Sequence, residues 1–258
     1  MEVYFNPQKI SIREISKTIA RDMIVKYHYS HKWSLCRIAY GIYYQQDTKH
    51  SFFNENEENL IGVVVYGGPV GRSAAASISK LIDISECIEL TRLFIHDGFG
   101  KNIESYCISH SMNLLKKRFP QLKSVISYAD NEAGHRGTIY QASNFIFTGL
   151  SSEYNLMPNY SISLTGPPNY KWMHSRTVSE IYGSHNVEHL KRKIKKTFWR
   201  KKESGKFRFI YFICDKVEKK KIMKNLKHPI LPYQKESIHL DEIEEITIKS
   251  TEENPFFG

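Results

Sequence analysis

No apolar stretch of this sequence is long enough to cross a bilayer. The longest, such as Leu60–Tyr66 and Phe207–Cys214, have strand length, whereas a spanning helix needs about 20 residues. No membrane partner is expected. Met1–Lys9 carries no basic-then-apolar signal pattern, and Cys36, Cys87, Cys107 and Cys214 form no Cys-x-x-Cys pair. These absences point to reduced thiols in a cytoplasmic setting and away from a zinc knuckle. Internal repeats are also missing. What remains is an ordinary globular composition, 41% hydrophobic and 25% charged over 258 residues, enough to bury a sizeable core.

The net charge of +10 is concentrated. Residues 171–228 hold 18 Lys/Arg against 5 Asp/Glu, while the last 24 residues hold 2 against 7. Tyr170, Trp172, Phe198 and Trp199 lie in or beside the basic segment. Such a segment is the footprint of a polyanion partner, and a solvated face is the competing reading.

Ser11-Ile-Arg-Glu14 has the form of a capping box, so a helix is expected from there to about Lys26, with Ile12, Ile15, Ile19 and Met23 on one side. Arg37–Tyr44 and Leu60–Tyr66 read as a hairpin with a polar tip near Asn54–Asn59, followed by a small-residue loop over Gly71–Ser79. Cys87–Ile95 reads as a strand, His96–Asn102 as a loop, and Ile103–Phe119 as a helix stopped by Pro120. Ser124–Ala129 is a buried strand, Gly137–Ser143 a short helix and Phe145–Gly149 a strand. This alternation implies a mixed or parallel sheet covered by helices. Residues 151–206 look irregular, an insertion before the apolar strand Phe207–Cys214 and the short helix Val217–Leu226. The expected organisation is a domain over 1–230 containing that basic insertion, then an acidic tail over 231–258.

Two places could carry chemistry. His96-Asp-Gly-Phe-Gly-Lys-Asn102 joins a strand to a helix N-terminus, where free N–H groups and the helix dipole suit a pyrophosphate. Its spacing matches neither G-x-x-x-x-G-K-[ST] nor G-x-G-x-x-G, which disfavours nucleoside triphosphates and dinucleotides. The second is Ser127-Tyr-Ala-Asp130 at the carboxyl end of a strand, with Tyr140 beyond it. Asp130 reads as a general base or as a loop cap, and Tyr140 as a general acid. Arg92 lies within an apolar strand, so an ion pair with Glu89 or Asp130 competes with a substrate contact. His28 and His31 form an H-x-x-H pair with no third ligand in view, so no metal site is expected. Base stacking or loop packing suits them better.

The ordered set Tyr27-His-Tyr-Ser-His31, Glu89-Leu-Thr-Arg-Leu93, Lys101-Asn-Ile-Glu-Ser105, Ser127-Tyr-Ala-Asp130, Gly134-His-x-Gly-Thr-Ile-Tyr140 and Lys206–Phe212 resembles the phage Mom family of DNA adenine-modification proteins. That family lies within the GCN5-related acetyltransferase (GNAT) superfamily. The resemblance implies an α/β fold with a GNAT-like mixed sheet flanked by helices, acetyl-CoA (acetyl-coenzyme A) as cofactor, and double-stranded DNA as substrate in the cytoplasm of a host cell. It implies methylcarbamoylation of the adenine 6-amino group, which shields phage DNA from restriction. An RNA base or a protein lysine as acceptor, or a non-catalytic DNA-binding role, are the alternatives. Carried over by motif, the catalytic positions are His28, Arg92, Asp130 and Tyr140, with Ser127 beside them. Leu93, Phe94, Ile95, Gly100, Lys101, Asn102 and Ser105 are the expected cofactor contacts, although the loop departs from the usual Q/R-x-x-G-x-G/A pattern. The expected DNA contacts are His31, Lys32, Trp33, His174, Arg176, Lys191, Arg192 and Lys195.

Overall fold

The structure is a computed structural model that describes residues 5–45, 58–69, 74–131, 133–154, 158–236 and 242–248. Most of the expected hairpin tip, and Gly71–Ser73 of the small-residue loop, lie outside the described residues. In chain order the elements are β1 (Ile10–Ile15), α1 (Lys17–Tyr27), β2 (Ile38–Gln45), β3 (Glu58–Gly67), α2 (Ala74–Ile78), β4 (Cys87–Ile95), α3 (Ile103–Arg118), β5 (Ser124–Ala129), α4 (Thr138–Ala142) and β6 (Ile146–Leu150). There follow β7 (Tyr160–Ser163), β8 (Trp172–Met173), α5 (Ser175–Tyr182), α6 (Val187–Ile194), β9 (Phe198–Lys202), β10 (Phe207–Phe212), α7 (Lys216–Lys224) and β11 (Ile243–Ile246). The chain divides into two compact units. None of the described helices is long and apolar enough to span a membrane.

The first unit comprises Met1–Asp130, His135–Gly149 and Phe207–Lys235. Its seven-stranded sheet runs β1-β2-β3-β4-β5-β10-β6. The pairs from β1 to β4, and β5 with β10, are antiparallel, while β4 and β5 are parallel. This is the expected α/β class, a mixed sheet flanked by helices. The expected capping box is corrected here. Ser11–Glu14 lies in β1, paired along its length with β2, and helix α1 is capped by Ser16, whose hydroxyl accepts from Ile19 N–H at 3.3 Å. Period-two pairing on a sheet edge outweighs a local capping signature: Ser11 and Arg13 turn to the same side and both bind Glu58.

Apolar clusters of the described residues help to hold the unit together. Ala20 and Ile24 of α1 are fully buried against Ala39, Val63 and Val65 of the sheet. Ala75, Ile78, Cys87, Ile126, Ile210, Phe212 and Ile222 form another, under α2 and α7. Burying each Val, Ile or Phe side chain among them contributes on the order of 1.5–3 kcal/mol.

The second unit comprises Asn131–Gly134, Leu150–Lys206 and Glu236–Gly258. The segment expected to be irregular instead carries the strands β7, β8 and β9 and the helices α5 and α6, and β11 from the acidic end of the chain completes an antiparallel sheet ordered β11-β9-β7-β8. Ile162, Val178, Leu190 and Phe198 make its core. Buried Glu203 accepts hydrogen bonds from Ser161 Oγ at 3.0 Å and from Ser175 N and Oγ at 2.8 and 3.2 Å. His174 Nε2 lies 3.2 Å from the same carboxylate. A buried carboxylate with this many donors fixes the start of α5 on the sheet.

Candidate active site

The site begins where the first unit's sheet opens. β4 and β5 pair only from Cys87↔Ser124 to Leu90↔Ser127. Beyond that rung β4 stays on β3 as far as Ile95, and β5 stays on β10 as far as Ala129. Two strands that keep different neighbours must part, which leaves a free edge on each. Thr91 is the extra residue of a bulge, since Val65 faces Arg92 and Tyr66 faces Leu90. Bulges increase local twist and re-aim side chains. His96 N–H donates to the Ile61 carbonyl at 2.9 Å. By strand alternation Phe94 also faces β3, while Leu93 and Ile95 turn their N–H groups to the free edge.

Arg92 leaves the bulge and donates from Nη1 to the Thr91 carbonyl at 2.6 Å and from Nε to the Lys32 carbonyl at 3.2 Å. Thr91 Oγ1 accepts from Ser34 Oγ at 3.0 Å. The segment after α1 is thereby tied to β4 through backbone and hydroxyl groups. His28, the C-cap of α1, is buried. Its Nδ1 accepts from Ser30 N–H at 3.1 Å. Burial, and then the positive charges of Arg92, His135 and His31, depress its pKa to about 4, so the ring is neutral at pH 7. Tyr29 lies against His28 with ring centroids 4.4 Å apart and against His135 at 4.6 Å. Burial and the Asp130 carboxylate raise the pKa of the Tyr29 phenol. Asp130 follows β5 directly, and its carbonyl accepts from His135 N–H at 3.0 Å, closing the turn that brings His135 back.

Ser127 and Tyr140 form a chain behind this cluster. Ser127 Oγ donates to the Leu90 carbonyl at 3.0 Å, so its lone pairs are left to accept from the Tyr140 phenol, with which it hydrogen-bonds. Burial, far outweighing Ser127, pushes the Tyr140 pKa up to about 12 and keeps it a donor. The first unit therefore brings together His28, Arg92, Asp130, Ser127 and Tyr140, the catalytic set expected by motif. Sequence reasoning gave His135 no role as a ring partner and named Glu89 only as an alternative partner of Arg92. Glu89 is buried on β4, and its charge helps to raise Tyr128 and Tyr140. A glutamate inside an apolar strand was the available signal.

The loop before α3 fits a phosphate-rich cofactor. Gly98 and Gly100 have φ of 96° and 101°, conformations that glycine adopts without strain, and a Cβ at Gly98 would meet nothing within 4 Å. Asn102 caps the helix at φ 68° with no side-chain cap hydrogen bond. The first N–H groups of a 16-residue helix are thus left for an anion. Ser105 Oγ donates to the Asn102 carbonyl at 3.0 Å and fixes the loop. Phe94 is held in an aromatic cluster with Tyr27 and His96.

The candidate DNA contacts fall in two groups. In the first unit, His31 has φ 47° and its Nδ1 lies 3.0 Å from the Val25 carbonyl. Lys32 is exposed, whereas Trp33 packs against the cluster under α1. In the second unit, His174 uses Nδ1 to accept from Arg176 N–H and Nε2 toward Glu203, so both ring nitrogens serve the start of α5. Lys191 pairs with Glu188, Arg192 donates to the Glu188 carbonyl, and Lys195 caps α6 at φ 53°. Among the described residues, no group of three or more His, Cys, Asp or Glu side chains is placed to hold a metal ion.

The chain is 25% identical over 237 residues to the methylcarbamoylase Mom of Escherichia phage Mu, covering 90% of this chain and 87% of that one. It is similar to a spermidine N-acetyltransferase from Vibrio cholerae in complex with CoA and spermine, at 10% identity, 80% and 96% coverage and a TM-score of 0.39. It is also similar to Arabidopsis thaliana NAA60 in complex with a bisubstrate analogue, at 13% identity, 79% and 99% coverage and a TM-score of 0.36. The family model for the Mom protein family matches residues 9–235, which is most of the chain, and the chain belongs to that family.

Proposed function

We propose that this Mom family protein is a DNA-modifying transferase that acts on the 6-amino group of adenine in double-stranded DNA, with acetyl-CoA as its cofactor and an N6-methylcarbamoyl-type base as product. The observation that carries this reading is the cluster of Tyr29, His28, Arg92 and Asp130 beside the opening between β4 and β5, in a chain related to a methylcarbamoylase. An exocyclic amine is a weak nucleophile because its lone pair is delocalised into the ring. Asp130 is the base that takes its proton, a contribution on the order of 10²–10⁴-fold. Bound acetyl-CoA would supply only the two carbons, with coenzyme A leaving as its thiol; a methylcarbamoyl-type group also needs a nitrogen from ammonia or an amide donor and a two-electron oxidant as co-reactants. The N–H groups of Leu93 and Ile95 would hold the cofactor's thioester end, and those of the first turn of α3, with the loop Gly100, Lys101 and Asn102, would hold its phosphates. Tyr140 and Ser127 hold a proton at the back of the site. The target base must leave the duplex to be reached, and the exposed ring of Tyr29 offers it a stacking face.

The test is transfer of label from [¹⁴C]acetyl-CoA by the protein, in a host-cell extract that supplies the nitrogen donor and the oxidant, to plasmid DNA, tRNA or a lysine-rich protein. Label in deoxyadenosine is expected. Label confined to tRNA or protein would favour the alternative acceptors, and no transfer would favour a binding protein. If the loop before α3 holds the cofactor, coenzyme A at about 100 times its dissociation constant should stabilise the protein by roughly 2.7 kcal/mol. Absence of any thermal shift would remove that loop from cofactor binding.

The second unit is the expected source of phosphate contacts. Arg200 is engaged by Glu244 at 2.6 and 2.8 Å and lies over the Tyr160 ring, so it is a poor candidate for reaching DNA. Lys193, Lys195 and Lys196 are exposed. Each contact they make should contribute about 0.9 to the slope of log affinity against log salt. Neutralising all three should weaken duplex binding and flatten that slope. An unchanged slope would assign the basic helix another role.

A further inference from the structure

His28 is one of the few polar side chains of the first unit that is more than nine-tenths buried, at 7% exposure. Its Nδ1 receives the Ser30 N–H, with Ser30 Oγ also 2.9 Å away. A backbone N–H can only donate, so Nδ1 must be the acceptor. In a neutral imidazole the proton then resides on Nε2. No hydrogen-bond partner for Nε2 is found among the described residues. The ring is therefore packed on most sides, with its Nε2–H left without a hydrogen bond among them. The charged and titratable groups acting on it are Arg92 from β4, His135 from the turn after β5, and His31 from its own segment, and all of them disfavour a second proton.

We infer that the Nε2–H of His28 is a fixed, neutral hydrogen-bond donor that receives a ring nitrogen of the target base, making His28 the adenine-selecting residue of the site. The inference rests on the adenine reading above. On either edge beside its 6-amino group, adenine presents a donor, the amine, next to an acceptor, N1 or N7. Asp130 is acceptor-only when ionised and His28 Nε2–H is donor-only in this tautomer, so the pair complements that pattern. Guanine reverses it: O6 would face the carboxylate, and on the Watson–Crick edge its N1–H would face the imidazole N–H. Tyr29, in tilted contact with His28 and His135 and itself 56% exposed, supplies the aromatic surface such a base needs. A neutral donor also leaves the amine's lone pair available, whereas an imidazolium would favour proton transfer onto the base.

Three measurements test this. ¹⁵N NMR of the imidazoles of the full chain at pH 6 should show His28 neutral and protonated at Nε2. An imidazolium or an Nδ1–H tautomer would overturn the inference without touching the adenine reading. With the wild-type protein, one of two duplexes, carrying 7-deazaadenine or 1-deazaadenine and so lacking one acceptor, should be modified between about tenfold and a hundredfold more slowly, and the other at close to the normal rate. His28→Ala should show the same loss on ordinary adenine and no additional loss on that analogue. His28→Gln, which keeps an N–H donor near the Nε2 position, should recover most of the activity and guards against a folding defect. Equal rates on both analogues and adenine would contradict the inference. If the wild type modifies no duplex at all, the adenine reading falls, and with it the assignment of the acceptor, whatever the NMR shows.

Discussion

Asp130→Asn is expected to lower adenine modification per folded molecule by at least about a hundredfold, with DNA binding and melting temperature close to wild type. The substitution keeps the size of the side chain and much of its hydrogen bonding, but an amide cannot accept the amine's proton. Asp130 follows the last residue of β5, just past the point where β4 and β5 part, and its charge acts on the Tyr29 phenol. If Asp130 were only a loop cap, the turn that closes on His135 would weaken and the protein would melt earlier, while whatever remained folded would still turn over. Activity and melting temperature therefore move in opposite combinations under the two readings. Unchanged turnover in well-folded Asp130→Asn protein would remove this carboxylate from the mechanism.

Gly137→Ala is expected to have a large effect on stability. Gly137 precedes α4, the short helix that carries Tyr140, and has φ 71°. A Cβ there would stand 2.3 and 2.4 Å from ring atoms of Phe209, which is buried on β10. The left-handed conformation costs an alanine roughly 1–2 kcal/mol, and forcing the ring aside costs roughly 1–3 more. A loss of about 2–5 kcal/mol should lower the melting temperature by on the order of 5–15 °C. A melting temperature within about 2 °C of wild type would show that Phe209 and α4 can shift without cost. Because Tyr140 touches Phe209 and hydrogen-bonds with Ser127, the folded remainder should also lose turnover.

What could be read from sequence follows from how local each signal was. β4, β5 and α3 begin and end within a residue of the sequence reading, because their apolar patterns are continuous and Pro120 marks a stop. Ser11–Glu14 misled because a four-residue capping signature says nothing of the strand partner that β2 provides. The second unit was invisible for a related reason. Its core joins Ile162, Val178, Leu190 and Phe198 from four short elements, none with an apolar run of its own. Its decisive polar residue, Glu203, gathers Ser161, His174 and Ser175 from far away in sequence. In the active-site region, His28, Arg92, Asp130 and Tyr140 were named because their motifs occur in family order. Their tautomers and partners were not legible. The ring stack of His28, Tyr29 and His135 exists only once α1 and the turn after β5 are folded onto β4, and Arg92 is held by the Lys32 and Thr91 carbonyls, which no side-chain pattern announces. Trp33, an aromatic expected at the DNA, packs partly buried against the apolar cluster under α1.

The central claim is that this chain modifies adenine in DNA. It is tested most directly by nucleoside mass spectrometry of plasmid DNA from cells expressing the wild-type chain or Asp130→Asn. A new deoxyadenosine derivative with the mass of the methylcarbamoyl-type adduct, abundant with the wild type and nearly absent with Asp130→Asn, is the expected result. Unmodified deoxyadenosine in both samples, with both proteins folded and present, would contradict it.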